Sequence, residues 1–480
     1  MVLLKTYFMN ASNLWSLRLG FTSKQAEVIE KLGISNFLKQ SFQSNFETNL
    51  PDFLIDDPKT LAELKEFRDK IKNADSDTQK KALKKGIRQA IELKKWWIEK
   101  MQNDAFPLRE KMVCFWHNHF VATSQKVKVN YWIYQHNMIL RENAFGNFKE
   151  LTKKIVKTNA IVKYLDNTDN KVGKINENLS RELLELFTLG FGNYTENDIK
   201  QGAKGLAGLN IGNESAIYRP RLQDDDEITY FGKKGNFKIE EMIDIIFEQK
   251  AIPYLITRKI LKWFIYDSPK EELVTYYGDY FKKMNFEIQP LLTKIFTEEF
   301  SKNNAGSKIK DPLVYILQLT NELQMKEIQS GVVAYFLNQQ GMDLFNQVNV
   351  KGWDGGNSWL TSQNYLQRNN TADLFCSGKA LRRKALKTQD EMQLEMNPEM
   401  QPEMELKSIQ VKVNWDKKSS SNKQIITELS NRLLFKADEN TQKDMEDVIK
   451  YDFNPNEENA DFAVLRLFNY ISKTPEYQLI

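Results

Sequence analysis

Apolar side chains recur at intervals of three and four residues through most of the chain, and that period limits its fold more than any single motif does. Leu61, Leu64, Phe67 and Ile71 form one such stripe behind Asp57-Pro58, which reads as a helix cap followed by a first-turn proline. Leu83, Ile87, Ala90, Ile91, Trp97, Ile98 and Met101 form a longer one. The same spacing predicts helices at about 149–165, 178–189, 198–208, 239–247, 253–266 and 312–324. Thr195-Glu-Asn-Asp198 fits a helix start, because a threonine oxygen can accept from free backbone amides and acids suit the positive end of the dipole. The helical period fails between Ile217 and Phe231, where Ile217-Tyr-Arg219 and Ile228-Thr-Tyr-Phe231 flank the acidic turn Asp224-Asp-Asp-Glu227. A short hairpin is predicted there. The fold expected is mainly α: a single large multi-helix domain with one small antiparallel β-hairpin.

With 480 residues, 41% of them hydrophobic, the chain can bury a large core. The predicted organisation is a helical core domain over 1–378, a low-complexity Met/Glu/Pro linker over 379–422, and C-terminal helices over 423–480 that pack back on the core. Within the linker Met392, Met396, Met400 and Met404 repeat every four residues. Thioethers at fixed spacing could hold Cu(I), but Pro398 and Pro402 break any helix that would align them, so the segment reads as a disordered linker. Lys+Arg 68 against Asp+Glu 64 leaves a net charge of +4, too little to predict nucleic-acid affinity. Lys80, Lys81, Lys84, Lys85, Arg88, Lys94 and Lys95 crowd one helix face, which reads as solvated and balanced in part by Glu92 and Glu99. No nucleic-acid partner is expected. Cys114 and Cys376 make neither a disulfide framework nor a zinc motif. The opening Met1-Val-Leu-Leu-Lys-Thr is too short and too interrupted for a secretory signal, and no run is long enough to span a bilayer, so a cytoplasmic location is the expectation.

Three segments could carry chemistry. Arg109-Glu-Lys-Met-Val-Cys-Phe-Trp-His-Asn-His-Phe120 holds two of only three histidines. If it is helical, Met112, Phe115, Trp116, His119 and Phe120 share a face and His119 points inward. His117 then lies about 200° away, so the pair cannot grip one metal from a regular helix. The second segment, Asn176-Glu-Asn-Leu-Ser-Arg-Glu-Leu-Leu-Glu-Leu-Phe-Thr-Leu-Gly190, places Glu177 four residues before Arg181. Glu182 borders the stripe of Leu179, Leu183 and Leu186, where a carboxylate's pKa rises and it can act as acid, base or imidazole partner. The third, Asn349-Val-Lys-Gly-Trp-Asp-Gly-Gly-Asn-Ser-Trp359, combines three glycines with two tryptophans, flat surfaces for a ligand or the packing of a rigid loop. There is no Gly-x-Ser-x-Gly elbow, His-Glu-x-x-His or dinucleotide fingerprint.

In this order the segments resemble the bacterial family known as domain of unknown function 1800. The resemblance rests on Trp116-His-Asn-His-Phe120, Leu140-Arg-Glu-Asn-Ala-Phe-Gly-Asn-Phe148, Tyr164-Leu-Asp-Asn167, Asn176–Gly190 with Gly192-Asn-Tyr-Thr-Glu196, and Val350-Lys-Gly-Trp-Asp-Gly-Gly356 with Trp359. Weaker matches, Leu17-Arg-Leu-Gly-Phe21 and Pro475-Glu-Tyr-Gln478, carry it towards both ends. It implies a mostly helical fold, frequent export, and a sulfatase-like protein of a neighbouring uncharacterised family as partner; it implies no reaction. Two departures stand out: Gln347-Val348 replaces the paired prolines common in the family, and Gln223-Asp224 replaces His-Asp. A ligand or base lost at position 223 would weaken such a site.

The functional reading is one polar pocket formed by the His117/His119 segment, the Glu182 helix and the Trp353 loop. His119 is the candidate base or metal ligand, with His117 beside it and Glu182 as carboxylate partner. Arg181, Asn178, Trp353 and Asp354 are the candidate substrate contacts. Hydrolysis or group transfer is the expected reaction class, with or without one divalent metal ion. The alternative is a non-catalytic cell-envelope or assembly protein in which the same groups form a buried structural network.

Overall fold

The structure is a computed structural model that describes residues 7–302, 304–325, 328–379, 409–450, 453–457 and 459–480. The first apolar stripe forms α1 (Leu61–Lys72), and its cap is Thr60 rather than Asp57: the Thr60 hydroxyl accepts from Glu63 N while the Glu63 carboxylate accepts from Thr60 N. Asp57 instead accepts from Gln89 Nε2 at 2.5 Å, tying its loop to α2 (Ser76–Asn103). All buried residues of α2 lie at or beyond Gln89, so Leu83, expected inward, is 67% exposed. Lys94, expected on the solvated face, is buried with its ammonium 2.6 Å from Asp343.

Next come α3 (Leu108–His119) and α4 (Asn130–Glu142). The helix expected over 149–165 is two, α5 (Phe148–Val156) and α6 (Asn159–Tyr164), because the Thr158 hydroxyl caps a fresh start by accepting from Ile161 N. The segment at 178 begins as α7 (Asn178–Glu182) and widens into a π-helical turn, Leu183–Thr188. The expected start at Thr195 is present: α8 (Glu196–Gly205) carries the reciprocal Thr195–Asp198 capping box. Further along are α9 (Ile239–Ile246), α10 (Ile252–Phe264), α11 (Pro312–Glu322), α12 (Ser330–Gln339), α13 (Asn422–Leu433) and α14 (Ala460–Ser472). The fold is mainly α, and none of the described helices is long and apolar enough to cross a membrane.

The described strands form three two-stranded antiparallel ribbons. β1 (Tyr7–Phe8) pairs with β6 (Lys436–Ala437), β2 (Leu209–Asn210) with β3 (Ile217–Tyr218), and β4 (Ile228–Tyr230) with β5 (Lys233–Gly235). Both segments of the expected hairpin are extended, but they do not pair with each other across the acidic turn. β4 finds its partner through the two-residue turn Phe231-Gly232, with φ of +47° and +79°, whose hand matches the strand twist.

One continuous hydrophobic core runs from Met9 to Ile480. The last residue is held by reciprocal backbone bonds with Lys308. Residues 380–408, with the methionine repeat and most of the expected linker, lie outside the described residues. Val413 and Trp415 beyond them are buried, and the Trp415 indole donates to Asp461 at 2.8 Å.

Candidate functional site

Of the residues in α3, Asn118 alone is not buried. The helical period sends the two histidines of this segment to opposite surroundings. His117 packs against Trp97, His136 and Phe345, with Nε2 3.2 Å from Ala122 O. His119 packs against Phe115, Phe120 and Phe187; its Nε2 is 3.0 Å from Phe187 O and its Nδ1 3.0 Å from Lys259 Nζ. A carbonyl can only accept, so Nε2 carries the hydrogen and Nδ1 takes one from Lys259. Burial, reinforced by the Lys259 charge and opposed by the bond to Phe187, holds the His119 imidazole well below its ordinary pKa. It is neutral.

The π turn explains why these partners meet. Leu186 and Phe187 stand in the last turn of the segment, where carbonyls have no acceptor duty within the helix. Phe187 O is taken by His119 and Leu186 O by Lys259 Nζ at 2.9 Å, a cation at the negative end of the helix. Lys259 comes from α10, and its ammonium is pushed down to about 8 by burial and then by Lys262, three residues on.

The third segment joins through Asn118. Its Oδ1 accepts from Trp353 N at 2.6 Å and its Nδ2 donates to Trp353 O at 3.4 Å. That approach needs glycine at 352: φ is +83°, and a Cβ there would land on the Asn118 side chain.

The first and third segments, α10 and residues 308–311 line a cavity of about 200 Å³, to which the Asn176–Gly190 segment contributes no residue. His119 and Lys259 lie on its lining with Trp263, Trp353 and Trp359, and Lys262, Lys308 and Lys351 add positive charge. Of the two acids there, Asp311 is held by Lys111 at 3.1 Å, while Asp354 is exposed. The indole nitrogens of Trp263 and Trp353 have no hydrogen-bond partner among the described residues. The lining is rich in donors and suits an anion with a flat or apolar part. A larger polar cleft, about 1340 Å³, contains Glu27, Glu92, Glu99 and Glu322. Three of its four carboxylates are engaged: Glu92 by Lys95, Glu99 by Ser330, and Glu322 by Ser23 and Arg432.

Among the residues singled out in the sequence, His119, Trp353 and Asp354 line the smaller cavity; His117, Asn178, Arg181 and Glu182 do not. Arg181 is occupied by Glu177 at 3.2 Å and by both oxygens of Glu196 at 3.0 and 3.1 Å. Asn178 is exposed, and its backbone N–H donates to Asn176. The Glu182 carboxyl is raised by burial and by Glu185, against Arg181 and Lys351. Lys259, not Glu182, is the group bonded to His119 Nδ1. Its sequence signal is slight: a lysine between Ile256 and Trp263 on the apolar stripe of a predicted helix. Gln347 is buried with Nε2 3.5 Å from His117 O, and Val348 is 80% exposed. Among the described residues no group of three or more His, Cys, Asp or Glu is placed to hold a metal ion.

A helical protein with a lysine-rich, tryptophan-walled cavity built from distant segments is the class that fold and site define. The chain belongs to the family described as protein of unknown function (DUF1800), whose model matches residues 14–479. No curated protein and no solved structure matches it.

Proposed function

We propose that the chain is an enzyme that binds a small anionic molecule in the cavity beside His119 and acts on it by group transfer or hydrolysis. The observation that carries this is the meeting of the His119 helix, α10 and the Trp353 loop around a cationic, aromatic hollow in which Lys259 is hydrogen-bonded to a neutral imidazole. A lysine whose pKa approaches neutrality exchanges protons efficiently, and such shifts cluster at working sites. In this reading Lys259 is the acid–base group and His119 orients it. Trp353 offers a face to the ligand, Asp354 stands at the mouth, and Glu182 acts through the charge of Lys351. His117, Arg181 and Asn178 hold the surrounding helices. A sulfatase-like partner, which the family resemblance implies, would handle anionic esters of a kind that suits this charge.

A second reading, a non-catalytic cell-envelope or assembly protein, is favoured by one observation: both His119 nitrogens are satisfied inside the protein. A melting-temperature screen against phosphate, sulfate and carboxylate compounds, followed by a turnover panel of esters, phosphates, sulfates and glycosides, separates the two. Ligand at about 100 times its Kd adds about 2.7 kcal/mol of stability, a readable upward shift. The Lys259→Met and Trp353→Ala proteins are expected to stay folded and lose that shift. No shift and no turnover across the panel would favour the structural reading.

A further inference from the structure

Building on that pocket reading, we infer that Lys259 is a nucleophile that forms an imine with a small carbonyl compound carrying an anionic group, such as a 2-oxo acid. The argument begins with hydrogen counting. Lys259 Nζ has two acceptors among the described residues, Leu186 O at 2.9 Å and His119 Nδ1 at 3.0 Å. A neutral amine has two N–H bonds and one lone pair, so those acceptors satisfy both hydrogens and leave the lone pair free beside the cavity. An ammonium brings a third N–H, for which the described residues provide no acceptor.

The surroundings bring that form within reach near neutral pH. Lys262 on the same helix and Lys351 from another segment bring positive charge to the cavity that Lys259 lines, while Lys308 there is paired with Asp267 at 3.6 Å. Asp311 is engaged by Lys111, Asp354 is exposed, and His119 is neutral. Desolvation and a neighbouring cation are the two devices that make a lysine nucleophilic near neutral pH, and the lowering of Lys259 to about 8 has both as its causes. The other lysines supply donors for the ligand's anionic group, and about 200 Å³ admits a compound of a few carbons.

The step balances without oxidant or reductant. The Nζ lone pair forms the C–N bond as the carbonyl π pair moves to oxygen. One nitrogen proton, relayed by His119 Nδ1, converts that oxygen to a hydroxyl. Loss of the hydroxyl with the second nitrogen proton as water leaves the C=N bond. His119 is here a positioning residue that holds the amine and passes its proton.

The test uses the full chain with glyoxylate and cyanoborohydride at about pH 8, where hydride fixes any imine as a carboxymethyl-lysine. Peptide mass spectrometry should find Lys259 modified at least roughly ten-fold faster than Lys262 or Lys351, with phosphate slowing the reaction. Lys259→Arg should abolish that adduct while the phosphate-induced rise in melting temperature persists. Lys262→Gln should cut labelling of Lys259 several-fold near neutral pH and restore it at higher pH, which a purely structural lysine would not do. Modification spread evenly over the lysines overturns the imine. A phosphate shift without a selective adduct overturns the imine and leaves the pocket reading standing, whereas neither shift nor adduct overturns both.

Discussion

Asn118 joins the histidine segment to the tryptophan loop with a single amide that uses both its oxygen and its nitrogen on Trp353. Truncating it leaves two backbone groups unpaired, so Asn118→Ala is expected to cost about 1–3 kcal/mol in urea unfolding. Asn118→Asp keeps the 2.6 Å acceptor and should retain most of that stability; equal losses for the two would show that this bond is not what fastens the loop. The sequence pointed to His119, Trp353 and Asp354 because scarce or unusual residues stand out in a run of text. It could not single out Lys259, which is one lysine among many until folding buries it beside His119 and the Leu186 carbonyl. Glu182 was legible as a perturbed carboxylate, and its pKa is raised, but by burial and then Glu185, against Arg181 and Lys351, with no imidazole involved.

Helix starts were readable where the capping chemistry is local and misplaced where two caps compete. Thr195 and Asp198 exchange bonds as their spacing predicts, whereas at α1 Thr60 displaces Asp57 because Gln89 claims that carboxylate. Asp198 has a second duty, since its Oδ1 accepts from Phe231 N in the positive-φ turn between β4 and β5. Thr195→Ala should therefore cost about 1 kcal/mol, the usual loss of a cap, and Asp198→Ala clearly more. Thermal unfolding of both proteins checks the order, and a reversed ranking would deny the turn contact. The π turn had no signature in the sequence; its free carbonyls meet Lys259 and His119 from other helices.

All three histidines are almost wholly buried, and all three are lowered chiefly by burial, His136 to about 4. Unfolded, each binds a proton below about pH 6.5; folded, it does not, so the unfolded state gains protons and stability falls as pH falls. Each contributes about 1.4 kcal/mol per pH unit while it stays neutral in the fold, about 4 kcal/mol for three. Melting temperature should drop steeply between about pH 6.5 and pH 5, before most carboxylates titrate. A flat profile there would contradict neutral buried imidazoles. The periodic placement of apolar residues determined by itself that this chain is helical and roughly where most helices lie, since that information resides within a few residues of each position. Tertiary structure alone decided that β1 pairs with β6 and that a lysine rather than a carboxylate meets His119. Those outcomes depend on burial and on partners more than a hundred residues apart, whose hydrogen bonds exist only once the segments have packed.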